Sequence, residues 1–391
     1  MLDPSLEALQ ELVRENEELR AQAKQLSAIK ESRTWVLAVR IQGLIAKLVP
    51  LRARAAMGLK SAEAETARAK ASSANPALPL FNLSPETAPP VDNPGYKRIQ
   101  AIIERTAIAK NTGPAVHCYT SIGNNYLPKA RVLARSLKRF NPNWVLHVFV
   151  AEPLDVSIDP SSEPFGSIVT IDQLGIPNLK SWIFKHNVME IGTAIKGRAA
   201  QYLIETHSLD KVFYFDPDIA VFGDLSPLAN LVESHPILLA PHATRPVSTA
   251  SGIKEIELLF MRFGAFNLGF LGLSAEGQGA EFLQWWSDRL DRYAFIDLSD
   301  GLFTDQRWCD LAPIYFDQTH ILRDPQYDVA YWNLTHRKMC ASSDGPILID
   351  DHPLGFFHFS GYDSGVGRKA IQSIIPDRKH VVYDLLDWYG V

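Results

Sequence analysis

Two carboxylates two residues apart, Asp216 and Asp218 in KVFYFDPDIAVFGDL, are the side chains of this sequence best placed to do chemistry. The apolar run at 212–215 reads as a short buried strand, and carboxylates are among the costliest groups to put at the edge of a core. Pro217 keeps Asp216 out of the helical region and fixes its own φ, so the dipeptide reads as extended and stiff, with both carboxylates on one side. Alone, two such anions repel each other. A divalent cation removes the conflict, and oxygen-rich ligands select a hard ion, Mn²⁺ or Mg²⁺. Mg²⁺ tends to be held by one or two carboxylates, with its other positions going to substrate phosphates. The pair therefore predicts a phosphate-bearing substrate, with a metal to stabilise charge on a leaving diphosphate. A solvated Asp-Pro-Asp turn is the plainer reading, and the buried strand ahead of it favours the metal.

The elements that must hold this pair alternate. AVHCYTS, WVLHVFVAE, SIVTI and VFYFDPD read as strands, while PKARVLARSLKRF and MEIGTAIKGRAAQYLIE read as helices. Ala130, Leu133, Ala134 and Leu137 share one face of the first helix. Such βαβ alternation predicts an α/β fold, a mostly parallel sheet covered by helices on both faces. HPILLAPH, FNLGFLGL, AEFLQWWSDRL and GFFHFSG extend it less regularly. Ligands of such sheets bind at the carboxyl ends of the strands, and Asp216 and Asp218 emerge at one of those ends.

Composition excludes several classes. A 391-residue chain with 46% hydrophobic and 21% charged residues is ordinary for a globular protein. A net charge of -5, with no zinc-finger spacing or basic-aromatic motif, argues against a nucleic-acid partner. Cys118, Cys309 and Cys340 lie far apart and suit a reducing compartment. No basic segment followed by an apolar one opens the sequence, and no apolar run reaches membrane-spanning length. A cytoplasmic protein, peripheral on the inner face of the membrane, is the expectation.

Residues 1–31 read as a coiled-coil helix. Leu9, Leu12, Asn16, Leu19, Ala23 and Leu26 recur at steps of three and four, with Asn16 on an a position that favours a two-stranded homodimer. A single solvated helix is the other reading. Residues 32–60 carry six cations and no acid, and Leu37, Ile41, Leu44, Leu48 and Leu51 form a stripe bordered by Arg33, Arg40 and Lys47. That is the pattern of a basic amphipathic helix on an anionic membrane surface, or of a helix packed on its own protein. Residues 61–94 are Ala/Ser/Pro-rich and read as a linker, leaving 95–391 as the α/β domain.

The ordered motifs of residues 115–362 resemble the GT-A nucleotide-sugar glycosyltransferases. The likeness is to the retaining family that contains glycogenin and the bacterial lipopolysaccharide galactosyl- and glucosyltransferases. The resemblance implies a Rossmann-like domain and transfer of a hexose from a nucleoside diphosphate sugar, UDP-sugars favoured, with retained configuration. The acceptor would be a saccharide or a lipid-linked sugar in cell-surface polysaccharide assembly. HCYTSIGNNYL looks like the family's first strand and nucleoside loop, which makes Thr120, Ser121 and Asn125 the base and ribose contacts. Lys196 in TAIKGRAAQYLIE takes the place of a diphosphate-reaching cation, with Arg198 as its rival. FDPD matches the Asp-x-Asp (DXD) metal motif. FNLGFLGL matches a strand in which Asn267 would bind the transferred sugar and Gly269 would admit a ligand closely. TDQRW supplies Asp305 for sugar hydroxyls and Gln306 beneath the anomeric centre, and HFSG supplies His358 as third metal ligand with Gly361 near the diphosphate. Where the family carries a diphosphate lysine this chain has Ser364, a departure from the pattern for which Arg368 and Lys369 are the candidate substitutes.

Other readings stay open on the residues alone. A nucleotidyltransferase also pairs metal carboxylates with such a sheet, yet the loop SIGNNYLPK lacks its Gly-rich basic character. A non-catalytic coiled-coil scaffold with a sugar-nucleotide-binding domain is the other. His186 and His242 stand at element ends, where a cleft role or a structural one would serve. Of Trp285, Trp286, Trp308, Tyr327, Tyr331, Trp332 and Tyr362, one or two are expected to face an acceptor sugar.

Overall fold

A computed structural model describes residues 93–109, 113–248, 252–342 and 345–390. The coiled coil expected at 1–31, the basic helix at 32–60 and the linker up to residue 92 lie outside the described residues. The linker's last two residues already belong to the domain: the Asn93 side chain accepts from the Gly95 amide at 2.7 Å, and Pro94 opens helix α1 (Pro94–Arg105).

Strands β1 (Val116–Ile122), β2 (Trp144–Val150), β3 (Ser167–Thr170) and β4 (Lys211–Phe215) lie side by side and parallel. They read as near-continuous apolar runs because strands covered on both faces have no wet side. A short strand β5 (Ile219–Val221) follows the Asp-Pro-Asp turn. β6 (Ile237–Pro241), β7 (Phe266–Ser274) and β8 (Thr319–Ile321) complete a seven-stranded sheet in the order β8-β6-β7-β4-β1-β2-β3. β7 alone runs antiparallel to its neighbours β4 and β6. β9 (Phe356–His358) stands outside that sheet and pairs antiparallel with β5.

Alternating residues of β4 face two separate cores. Phe213 and Phe215 join one with α2 (Leu127–Phe140), through Leu133, Ala134 and Leu137. Val212 and Tyr214 join the other, with Ala199, Ala200 and Leu203 of α3 (Lys196–His207) and Phe282 and Trp286 of α4 (Gly277–Tyr293). Each such buried aliphatic or aromatic side chain contributes roughly 1.5–3 kcal/mol by leaving water. Helices thus cover both faces of a mostly parallel, Rossmann-like sheet. Among the described residues no helix is long and apolar enough to cross a membrane.

Two local expectations change. MEIGTAIKGRAAQYLIE is two helices, Val188–Ala194 and α3, with a break at Ile195. The Ile195 amide is shared between the Ile191 and Thr193 carbonyls, and Tyr119 donates its hydroxyl to the Lys196 carbonyl at 2.9 Å. The Asp-Pro-Asp stretch is a turn, not an extended dipeptide: the Ile219 amide donates to the Asp216 carbonyl at 3.1 Å. Pro217, with its fixed φ, is the usual second residue of such a turn.

Candidate active site

The turn after β4 brings Asp216 and Asp218 to the carboxyl-end rim of the sheet. It also sends the chain back as β5, which pairs with β9 so that His358 lies opposite Ile219. The Phe359 amide donates to the Asp218 carbonyl at 2.8 Å and locks that register. His358 Nε2 then stands 3.1 Å from Asp218 Oδ1 and 3.7 Å from Asp216 Oδ2. Asp216, Asp218 and His358 each offer one ligand atom, and these atoms all lie within 4.8 Å of one another. Burial pushes the His358 imidazole down, but the Asp218 and Asp328 carboxylates outweigh it and raise it well above the ordinary histidine range. Burial pushes Asp218 up, and His358, with a smaller contribution from Lys129, brings it below the usual carboxylate range.

β7 lies beside this pair. Its pairing with β4 places Phe270 opposite Phe215, so residues 266–269 run past the end of β4 along the rim. The Asp216 amide donates to the Gly269 carbonyl at 2.8 Å. A Cβ on Gly269 would lie 2.5 Å from His358 Cε1 and 2.7 Å from its Nδ1. The close approach expected at this glycine is therefore made by the imidazole. Asn267 accepts from the Gly269 amide at 2.9 Å, and its Nδ2 lies 3.4 Å from His242 Nε2. His242 is buried, and burial leads in lowering it to about 4.

Beneath the carboxylates lies a buried cation. Lys196 Nζ is 2.8 Å from Asp305 Oδ2 and 3.3 Å from Asp216 Oδ1, and it donates to the Leu268 carbonyl at 2.9 Å. Burial pulls the ammonium down, and the charges of Asp216 and Asp305 outweigh it, so Lys196 is held above its ordinary value. The ammonium thus lies against three protein oxygens, two of them hydrogen-bonded to it and one ion-paired, where the resemblance implies a reach to a diphosphate. Arg198, its rival, is paired with Asp291 at 2.6 Å. Gln306 is fixed at both ends of its amide: Nε2 donates to the Phe263 carbonyl at 2.8 Å, and Oε1 accepts from the Leu268 amide at 3.4 Å.

The expected nucleoside residues part company. Thr120 is wholly buried, and its hydroxyl has no hydrogen-bond partner among the described residues. Ser121 Oγ is 3.2 Å from the Tyr214 hydroxyl, which donates to Asp216 Oδ1 at 2.6 Å. With that proton committed to the carboxylate, Ser121 is the donor. Asn125 is exposed in the short 3₁₀ turn Asn124–Tyr126 that leads into α2. Gly361 adopts a φ of 68°, a left-handed turn that leads into α5 (Val366–Ile374), and its carbonyl accepts from the Gly367 amide at 3.1 Å. Ser364 is exposed and donates to the Gly361 carbonyl at 3.2 Å. Arg368 lines a cleft with His358, Ser360 and Tyr362 while pairing with Asp387 at 2.7 Å. His186 Nδ1 is 2.7 Å from the Trp182 carbonyl oxygen. Of the aromatics, Trp332 stands edge-on to His358, and Trp286 donates to the Asp305 carbonyl at 3.1 Å.

Three neighbours escaped the sequence reading. Tyr214 joins Ser121 to the carboxylates. Lys129, in the first turn of α2, pairs with Asp363 and lies 4.3 Å from the Tyr126 ring centroid. A lysine just after the first strand was the available signal. Asp328, buried 3.4 Å from His358 Nδ1, had none.

No family model matches the chain. Two curated Bacillus subtilis (strain 168) proteins are similar to it. "Uncharacterized protein YfnF" is 29% identical over 156 residues, 39% of this chain and 50% of that protein. "Uncharacterized protein YfnD" is 26% identical over 158 residues, 40% and 46% respectively. The chain spans about half the length of the curated relatives it matches. Among solved structures, galactosyltransferase LgtC in complex with donor and acceptor sugar analogues covers 66% of this chain and 96% of its own, at 15% identity and a TM-score of 0.40. Glycosyltransferase GlyE of Streptococcus pneumoniae TIGR4 covers 71% and 64%, at 16% identity and a TM-score of 0.39. Mouse xyloside xylosyltransferase 1 covers 64% and 99%, at 14% identity and a TM-score of 0.37. These are likenesses of chain path, and what each protein acts on is that protein's own property.

Proposed function

We propose that the chain is a metal-dependent retaining glycosyltransferase that moves a hexose from a nucleoside diphosphate sugar, UDP-sugars favoured, to a saccharide or lipid-linked acceptor. The observation that carries this is the convergence of Asp216, Asp218 and His358 at the carboxyl ends of parallel strands, over the buried Lys196–Asp305 pair. Two carboxylates and one imidazole fit a divalent cation that accepts both oxygen and nitrogen, which favours Mn²⁺ over Mg²⁺. When bound, such a cation supplies positive charge against a departing diphosphate. The chain's own residues do the rest. Ser121 and Tyr214 hold the Asp216 carboxylate in place from the donor side. Lys196 balances Asp305, whose other oxygen accepts from Thr304 at 2.9 Å, and holds the carboxylate in position for sugar hydroxyls. Gln306, fixed between two backbone groups, offers a rigid amide on the face where the acceptor hydroxyl would attack. Asn267, braced by His242, faces the transferred sugar. Arg368 or Lys369, with Lys129 as a further candidate, would meet the diphosphate in place of the residue at 364.

The first 60 residues serve delivery in this reading: a coiled coil makes a homodimer, and the basic helix of 32–60 holds it to the anionic inner face of the membrane. Flotation with anionic liposomes at low salt tests that part, and its failure leaves the catalytic reading standing.

The catalytic reading is tested by incubating the full chain with UDP-glucose, UDP-galactose and GDP-mannose. Slow Mn²⁺-dependent release of the nucleoside diphosphate is expected from one of them. It should be abolished by EDTA and reduced at least a hundredfold in Asp218→Ala. Metal-independent turnover, or an unaffected Asp218→Ala, would overturn it, and proton NMR of the released sugar's anomer checks retention.

A further inference from the structure

Asp328 is 1% exposed, yet it is a carboxylate in an apolar surround, and neither of its oxygens has a hydrogen-bond partner among the described residues. A buried anion without a hydrogen bond is expensive, so the charged groups beside it matter. Oδ1 lies 3.4 Å from Nδ1 of His358, and that nitrogen has no other partner either. The backbone is built to hold this approach. Asp328 sits at a φ of 49°, a conformation that Asp and Asn tolerate better than most residues. The wholly buried Asn333 donates to its carbonyl at 2.8 Å and accepts from the Ala330 amide at 3.0 Å. The next residue, Val329, is stitched to β9 on both sides: its amide donates to the Phe356 carbonyl at 3.3 Å, and its carbonyl accepts from the His358 amide at 2.8 Å. Buried Arg337 donates to the Tyr327 carbonyl at 2.8 Å, and its positive charge interacts with the Asp328 carboxylate. The imidazole is thus confined on three sides, by the bare Cα of Gly269, by the Trp332 ring at 5.3 Å and by Asp328.

We infer that Asp328 is a positioning residue: in the metal-loaded site it takes the Nδ1–H of His358, which fixes the ring's tautomer and turns the Nε2 lone pair toward the Asp216–Asp218 pair for a divalent cation. Imidazole ligands commonly give their second N–H to a carboxylate or carbonyl, which orients the ring and makes it a better donor. The inference rests on the metal reading above and adds to it the residue that prepares one of its ligands. Asp328 itself touches neither metal nor substrate.

The test measures metal binding and the tautomer without any turnover. Mn²⁺ affinity is measured by titration calorimetry on the full-length wild type, Asp328→Asn, Asp328→Ala and Asp218→Ala. A loss of roughly 10–100-fold is expected in Asp328→Ala. Asp328→Asn, which keeps an acceptor without the charge, should fall between it and wild type, and Asp218→Ala should not bind. In parallel, nitrogen NMR of the wild type loaded with diamagnetic Cd²⁺ should show the His358 proton on Nδ1. That readout needs no variant to fold. Mn²⁺ affinity in Asp328→Ala within twofold of wild type overturns the inference while leaving the metal site intact, whereas an Nε2–H in the Cd²⁺-loaded chain takes His358 out of the ligand set and overturns both. A wild type that binds no Mn²⁺ overturns the metal reading along with it.

Discussion

Lys196 shows how much of the site is electrostatic bookkeeping beneath the surface. Its ammonium is 3% exposed and is the near neighbour of two carboxylates, one of which, Asp305, is as buried as the lysine. Removing one partner of a buried pair strands the other charge in a low-dielectric place, which costs about 3–5 kcal/mol. Lys196→Met is therefore expected to lower the unfolding free energy by about that amount in metal-free urea titrations. Adding Asp305→Asn to the same chain should return part of the loss. Equal midpoints for the single and double variants would show that Asp305 is not what the lysine neutralises. Gly269 gives a second prediction of the opposite kind, about space. A methyl there would enter the His358 ring at 2.5 Å, so Gly269→Ala must rotate the imidazole out of line. Mn²⁺ affinity should drop roughly tenfold or more, as when a ligand's orienting partner is lost, with the far-ultraviolet circular dichroism unchanged.

The elements that bring these residues together are few, and one helix end holds two of them. Asn141, at the end of α2 and wholly buried, donates to the Gly223 carbonyl at 3.0 Å and accepts from the Leu225 amide at 2.8 Å. It anchors the loop that follows β5, and hence the strand that carries Asp218 to His358. Asn141→Ala leaves two buried backbone groups without partners, each worth about 1–3 kcal/mol, so a loss of about 2 kcal/mol or more in urea unfolding is expected. Such long-range ties explain what the sequence could and could not disclose. β1, β2 and β4 were legible because buried parallel strands leave apolar runs, and α2 because its buried face repeats at helical spacing. The paired carboxylates were legible because two acids after an apolar strand have few structural uses. The turn geometry at Pro217 was not, since the same proline suits an extended dipeptide and a turn. His358 was reachable only through the resemblance, because a lone histidine on an apolar strand carries no chemical signal of its own. Asp328 was silent altogether: its meaning depends on Val329 meeting β9, a pairing that no local pattern announces.

Across the whole domain the sheet separates two kinds of polar cluster. The carboxyl-end rim gathers charge for a ligand, whereas His117, at the start of β1, meets His147 of β2 and His207 of α3. Their three ring centroids lie 5.0–5.1 Å apart. His147 is buried, with Nε2 2.9 Å from His117 Nδ1 and Nδ1 2.8 Å from the Ser167 hydroxyl. Burial first, and the neighbouring His117 and His207 second, lower its pKa from 6.5 to about 3. Its folded value thus lies below its unfolded one, and between the two the unfolded chain binds a proton that the folded chain refuses. Stability is fully present above about pH 6.5 and is lost as pH falls from there toward 3, with a slope of up to about 1.4 kcal/mol per pH unit for this single group. Urea midpoints should therefore be level above pH 7 and decline steadily between pH 6.5 and 4. His147→Gln, which has no proton to refuse, should make that decline shallower by this group's share even if it lowers the plateau, with buried His242, lowered to about 4, still contributing its own. The same acid slope in the variant as in the wild type would place the sensitivity elsewhere in the molecule.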